Sequence, residues 1–453
     1  MKTQDHDARA YVQPLIDAAL EAADPATAVR RQLRRDNRQL LAGHYRYDLD
    51  QGRVFLVAAG KAALNMATAA LEVLGEDIWA GVVITKQIAE GKARRYVANA
   101  GKRRNNLAVF EAGHPISDIN GIRATATALD LLGETESGDL LLCLLSGGAS
   151  ALFTQPTLPL PEWQQLVQAL LESGCTINEL NCVRKQLDRV KGGGLAVQAG
   201  PASTISLILS DVVGNPLDII GSGPTAPNAE SPGDALTVLH RYDVMKRVTP
   251  ETWAVITEEL TDPRHATSVS RFEELEVKNV IVGDVRSAAM AAVTAARNAG
   301  YRAELLTAYL QGEAREVGLV AAALAKELAP GQAWILGGET TVSVVGSGSG
   351  GRNQELALAA ALGMAGFDDR VVATFATDGE DGPTDAAGAI VTGETVSLAR
   401  AQDLEPGTFL KDNDSHTFFV RLAEMTENDC LLRPGPTGTN VNDLLFILRP
   451  RRA

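Results

Sequence analysis

The sequence predicts an α/β protein of two domains, each a sheet layered by helices. At 453 residues and about 150 residues per domain, the chain has room for two large domains or three small ones. Short, almost wholly apolar runs read as strands buried on both faces. They alternate with helical patterns in two series, parted by polar, Pro-containing text.

In the first series, residues 8–35 read as two amphipathic helices, and Val54–Gly60 (VFLVAAG) as a buried parallel strand. Helix Lys61–Leu74, strand Ala80–Thr85, strand Leu107–Phe110, helix Asn120–Leu132 and strand Asp139–Leu145 follow. From Thr176, a capping box formed with Glu179 opens a helix of about four turns that stops at the triple Gly192–Gly194. Strand Thr204–Leu209 then leads into a long stretch rich in Gly, Pro and Ser, expected to be irregular and functional. Charged helices occupy 232–261, and the boundary is expected near 245–275, between domains spanning 1–250 and 275–453. The second series runs strand Asn279–Val282, helix Ser287–Ala299, strand Arg302–Leu306, helix Glu313–Leu328, strand Trp334–Leu336, helix Asn353–Leu362 and strand Val371–Ala376.

Composition narrows the function. Hydrophobic residues are 45% and charged residues 22%, ordinary globular usage that excludes a disordered or fibrous chain. The net charge of −14 repels phosphate backbones and anionic lipid, so neither nucleic acid nor membrane is an expected partner. A polar N-terminus and the absence of a long apolar run predict a soluble cytoplasmic protein, and four cysteines with no CxxC pair fit a reduced compartment. Oligomeric state stays open, a homodimer being one option.

Several turns could carry chemistry. Lys61 follows a buried strand at the start of a helix, where free N–H groups and the dipole favour an anion and a cation is unfavourable unless an anion is bound. Ser146, Gly147, Gly148, Ala149 and Ser150 repeat that plan after the next buried strand, the glycines permitting close backbone approach and the hydroxyls facing oxyanions. Asn181, Arg184, Asp188 and Lys191 recur at helical spacing as one polar stripe, a pattern that also describes a plain solvated face. Asp211 follows a strand, a position suited to holding magnesium, and Ser222, Gly223 and Thr225 share its loop. Gly346, Gly348 and Gly351 form one GxGxxG, yet no doubly buried strand precedes it, and Arg352, Asn353, Gln354 and Glu355 crowd the helix start. An anion site around the Arg352 fork fits better. Asp378, Glu380, Asp381 and Asp385 are dense enough to need solvent or a cation.

Taken in order, GKAALNMA, AGHPISDING, LLSGGASALF, NELNCVRKQLDRVKGGGLA, LILSDVVGNPLDIIGSGPT, GGETTV, GGRNQELALA, ATDGEDGPTDAAGA, DNDSHTFF and TGTNVNDLLF resemble the class II glycerate kinases, whose C-terminal half is the MOFRL domain. The resemblance implies a larger Rossmann-like N-terminal domain and a smaller α/β C-terminal domain enclosing an active-site cleft. It implies ATP- and magnesium-dependent phosphorylation of D-glycerate to 2-phosphoglycerate, with Lys61 and Arg352 as the catalytic pair. The pattern commonly has Gly at 149, His at 186 and Arg at 194, where this chain has Ala149, Gln186 and Gly194. On this reading Lys61, Arg352 and Asp211 are catalytic, and Ser146, Gly147, Gly148, Ser150, Asn181, Arg184, Lys191, Ser222, Gly223 and Thr225 bind ATP. Magnesium falls to Asp211, Asp378 or Asp381. An NAD(P)H-dependent hydroxypyruvate or tartronate-semialdehyde reductase and a non-catalytic binder of sugar acids are the other readings.

Overall fold

The computed structural model describes residues 5–86, 106–261, 271–426 and 428–451. The chain divides into two compact units, one of Pro25–Ser210 and Asn215–Val282, the other of Met1–Asp24, Asp211–Gly214 and Gly283–Ala453. The division thus differs from the expected boundary at both ends of the first unit. Helix Asp5–Ala23 joins the C-terminal unit because its buried stripe of Val12, Leu15, Ile16 and Ala19 packs on helix Val285–Asn298.

In the N-terminal unit, β4 (Val54–Ala59), β5 (Ile78–Thr85), β6 (Asn106–Glu111), β7 (Leu140–Leu145), β8 (Ser203–Leu209) and β9 (Val277–Gly283) form a sheet in the order β6-β5-β4-β7-β8-β9. β4 pairs in parallel with β5 and β7, β5 with β6, and β7 with β8. Every residue of β4 and β7 is buried, as their apolar runs predict. The strand expected to open the second series is therefore the last of this first sheet. The Asn279 amide on β9 bonds both the hydroxyl and the carbonyl of Thr225 at 2.8 Å, fastening that strand to the loop after β8.

The second predicted helix ends at Gln32, and β1 (Leu33–Asp36), β2 (Gln39–Ala42) and β3 (Tyr45–Asp48) follow as an antiparallel meander. Its turn signals are Asn37 and Gly43, with φ of 53° and 60°.

The capped helix is shorter than predicted, running Ile177–Gln186. Its capping box is present, but Asp188 leaves the helix to accept from the N–H groups of Gln155 at 3.2 Å and Val190 at 3.0 Å, and from the Thr154 hydroxyl. Asp competing locally for backbone donors is a known way to stop a helix. Gly194 opens the next helix, Gly194–Ala199, where a Cβ would overlap the Arg189 carbonyl, so this backbone rejects the Arg common in the family.

Glu179 is held down to about 2 by the Thr176 N–H, the Tyr242 hydroxyl and the Thr176 hydroxyl. A depressed carboxylate stabilises the fold above its unfolded value near 4 and loses that effect as pH falls toward its folded value. Glu179→Gln is expected to lower the melting temperature at pH 7 and flatten the acid limb between about pH 4.5 and 2. Melts across that range check it, and parallel curves for both proteins would refute it.

In the C-terminal unit, β10 (Arg302–Leu310), β11 (Gln332–Gly338), β15 (Asp443–Arg449), β12 (Val371–Ala376), β13 (Gly388–Thr392) and β14 (Leu431–Leu432) lie side by side in that order. β10 and β11 are parallel, whereas β15 lies antiparallel between β11 and β12. Asp443 is thereby paired with Gly338 on one side and Ala376 on the other.

Candidate functional site

The order of the first sheet reverses between β4 and β7, since β5 and β6 lie to one side and β8 and β9 to the other. In open α/β sheets ligands bind at such a switch point, outside the carboxyl ends of the strands. The two turns there are laced together. Gly60 has φ of +126°, and a Cβ on it would overlap Ser146. Lys61 N–H donates to the Gly147 carbonyl at 2.8 Å, and Ala62 N–H to the Ser146 hydroxyl at 3.0 Å. Ser146 is buried and its hydroxyl accepts this bond, so it shapes the site from beneath.

Helix Ala63–Leu74 has Ala62 at its N-cap and no side-chain cap, and its first N–H, that of Ala63, donates to the Gly60 carbonyl at 3.1 Å. Lys61 is exposed and has no carboxylate partner among the described residues, and the N–H groups of Gly147 and Gly148 donate to none of them. An unpaired ammonium beside free amides is an anion site.

The remaining residues of this unit sort by what holds them. The Ser150 hydroxyl lies 2.9 Å from that of Ser222, which donates to Asn181 Oδ1 at 2.7 Å. Lys191 meets the carbonyls of Ser150 at 2.9 Å and Phe153 at 3.0 Å and Asp188 at 3.4 Å, which uses its three hydrogens. Its expected contact with nucleotide is corrected to an internal one, and burial pushes its ammonium down. Thr225 likewise joins Ser206 at 2.9 Å to β9. Gly223, φ 65°, accepts from Gly193 N–H at 2.7 Å and turns the loop. Arg184 differs: only 9% exposed, it has a buried Nε without a partner, and burial lowers its pKa. The polar stripe is thus buried, the opposite of a solvated face.

In the C-terminal unit, Arg352 is the first residue of helix Arg352–Gly363. Its fork holds Asp443, Nε to Oδ2 at 2.5 Å and Nη2 to Oδ1 at 3.0 Å, and Nη1 lies 3.1 Å from Glu339. Burial pushes Asp443 up to about 6 even so, and burial raises Glu339 against the pull of Arg352. Sequence reading singles out Asp443 without giving it a role, and it passes over Glu339. The available signal was an Asp opening the apolar run DLLFIL.

Asp381 has a different role from the expected metal ligand. Its Oδ1 accepts from Asn353 N–H at 3.0 Å and its Oδ2 from Gln354 N–H at 2.9 Å, so it caps the Arg352 helix. Asp381→Ala would leave those buried donors unpaired at about 1–3 kcal/mol each. The expected result is a clearly lower melting temperature with an unchanged magnesium titration; a shifted titration with an unchanged melt would return it to the metal.

The GxGxxG loop is filled by the chain itself. Asn413 Oδ1 accepts from Val345 N–H at 2.8 Å and Gly346 N–H at 3.0 Å, Asp412 Oδ1 from Ser347 N–H at 3.0 Å, and Asp414 Oδ1 from Ser349 N–H at 2.8 Å. Cβ atoms on Gly346 and Gly348 would overlap Asp412 and Asp414. The N–H groups from Val345 to Ser349 are thus taken by the chain itself, which weighs against the nicotinamide reading. His416 is likewise satisfied, its Nδ1 lying 2.8 Å from Gln354 Oε1.

Asp211 is half-buried after β8 and groups with the C-terminal unit, and Asp378, also half-buried, follows β12. Among the described residues no three His, Cys, Asp or Glu are grouped to hold a metal ion, and no helix is long and apolar enough to cross a membrane. Magnesium commonly takes one or two carboxylates and completes its shell with water and phosphate. Asp443, Glu339 and Asp381 act on a single guanidinium, that of Arg352, and Asp378 acts on Glu339. This excess of hard, negative oxygen fits a divalent cation.

Comparison with known proteins agrees with this architecture. Residues 11–257 match a domain of unknown function, DUF4147, and residues 332–443 match the MOFRL family. The chain is 40% identical to the D-glycerate 2-kinase of Thermotoga maritima over 95% of its length and 96% of the relative's, and 37% identical to the glycerate kinase of Homo sapiens over 96% and 92%. The crystal structure of a Thermotoga maritima glycerate kinase superposes with a TM-score of 0.81 at 37% identity, covering 98% of this chain and 100% of that one. A Pyrococcus horikoshii protein superposes equally well, with a TM-score of 0.81 at 34% identity over 98% and 99%. The chain belongs to the glycerate kinase family that carries a C-terminal MOFRL domain.

Proposed function

We propose that the protein transfers the γ-phosphoryl group of ATP to the 2-hydroxyl of D-glycerate, giving 2-phosphoglycerate. The observation that carries the reading is Lys61 beside the amides of Gly147 and Gly148 at the switch point of the first sheet, none of them with a partner among the described residues. Phosphoryl transfer asks a protein for positioning and for compensation of phosphate charge more than for covalent chemistry. Lys61 and the two amides would hold phosphate oxygens, with the Ser150 hydroxyl and the unpartnered Arg184 Nε as further donors. Arg352, fixed by Asp443, would direct its remaining N–H groups at the glycerate carboxylate or the moving phosphoryl group. Asp378 and Asp211 are the carboxylates to hold magnesium, which when bound would neutralise phosphate charge.

The test is incubation with D-glycerate, ATP and magnesium, and separately with hydroxypyruvate and NADH. ADP release that requires D-glycerate is the expected result, and phosphorus NMR of the product should show the 2-phosphate. NADH oxidation without ATP use would replace the reading.

A further inference from the structure

A third turn reaches the switch point. The segment after β6 runs Ala112, Gly113, His114 and lays the His114 ring on the turn after β7. A Cβ on Gly148 would stand 3.1 Å from His114 Cδ2, 3.2 Å from its Nε2 and 3.2 Å from Lys61 Cγ. Gly148 has φ of +84°, and its bare Cα is what lets the ring and the lysine stem share the same backbone.

The ring is half-buried, yet neither nitrogen bonds to any described residue. A half-buried imidazole normally finds a protein partner for at least one nitrogen, because leaving both without one sacrifices hydrogen bonds to water. Burial, then the charges of Lys61 and Lys86, push this histidine down to about 4, so the ring is neutral near pH 7. A neutral imidazole keeps one N–H donor. Beside an ammonium and two free amides, that donor completes a cradle for oxyanions without crowding a third positive charge against the two lysines.

We propose that His114 contacts the ligand in the phosphoryl-transfer site, donating its N–H to an anionic oxygen of either the nucleotide phosphates or glycerate. The proposal rests on the glycerate kinase reading and adds a residue to it. Its sequence context, AGHPISDING, places a histidine in a strand-end turn but gives no spacing relation to Lys61 or Gly148. The folded contact is what joins them.

The test uses the full chain. His114→Ala is expected to lower kcat/KM by about tenfold to a hundredfold, the effect of losing one hydrogen bond to a charged group, with little change in the melt. His114→Gln, whose amide keeps an N–H, should recover part of the loss. Wild-type kcat/KM for both substrates in the Ala variant would overturn the proposal.

Should that variant not fold, imidazole nitrogen NMR of the unaltered protein decides. Movement of the His114 signals on adding ADP assigns the contact to phosphate, movement on adding D-glycerate assigns it to the acid, and no movement with either overturns it. Failure of the unaltered protein to release ADP with D-glycerate would sink the kinase reading instead, and the ADP titration would still show whether His114 meets phosphate.

Discussion

Lys61→Ala is expected to lower the turnover rate by roughly 10² to 10³, the range for losing one preorganised electrostatic group. The lysine directly precedes the N-cap, Ala62, of a helix with no side-chain cap, so it lies at the positive end of the helix dipole with no carboxylate partner among the described residues. A bound phosphate converts this local cost into attraction, and charge shifting during transfer makes the attraction greater in the transition state than in the ground state. The fold should survive, because Lys61 is exposed and its turn is held by main-chain bonds that alanine keeps, including Lys61 N–H to Gly147 at 2.8 Å. Steady-state kinetics beside a thermal melt check the prediction. Full activity with an unchanged melt would remove the catalytic role.

What could be read in the sequence follows from the range of the interactions involved. Strands β4 and β7 are buried on both faces, so their apolar runs are visible without knowing any partner. The turns that follow them, with Lys61 and Ser146–Ser150, were legible for the same reason. The capping box of Thr176 and Glu179 is local and was equally plain. Non-local choices were not. Insertion of β15 between β11 and β12 depends on pairing across more than a hundred residues of chain from Gly338 to Asp443, and nothing in the run DLLFIL names its neighbours.

The same limit explains the misread carboxylate. Asp381 among its acidic neighbours looks identical whether it binds a cation or caps a helix, and the cap lies on residues 353 and 354, earlier in the chain. The Gly-rich loop before Arg352 carries a dinucleotide spacing, but the acceptors that occupy its amides come from Asp412, Asn413 and Asp414. His114 was passed over because its partners, Gly148 and Lys61, are joined to it only by the sheet. In each case the residue type was visible and its partner was not.

Arg352→Lys tests the C-terminal site most directly, because it keeps the charge and removes the geometry. Nε and Nη2 hold both oxygens of Asp443 while Nη1 reaches Glu339 at 3.1 Å, and the hydrogens of one ammonium, diverging from a single nitrogen, cannot reproduce a planar fork spread over three. Asp443, already pushed up to about 6 by burial, would lose the paired bonds that oppose that push and would take up a proton more readily near neutrality. An unanchored cation and a partly protonated carboxylate then face the substrate in place of a fixed fork. Loss of a charge-assisted bond at about 1.5–3 kcal/mol corresponds to a fall in kcat/KM of roughly 10- to 100-fold. The melt should change little, since Arg352 is one-third exposed and the helix cap supplied by Asp381 is untouched. Measuring kcat and KM for ATP and D-glycerate separately locates the effect. A normal rate and normal affinity for both substrates would make Arg352 a residue of the scaffold alone.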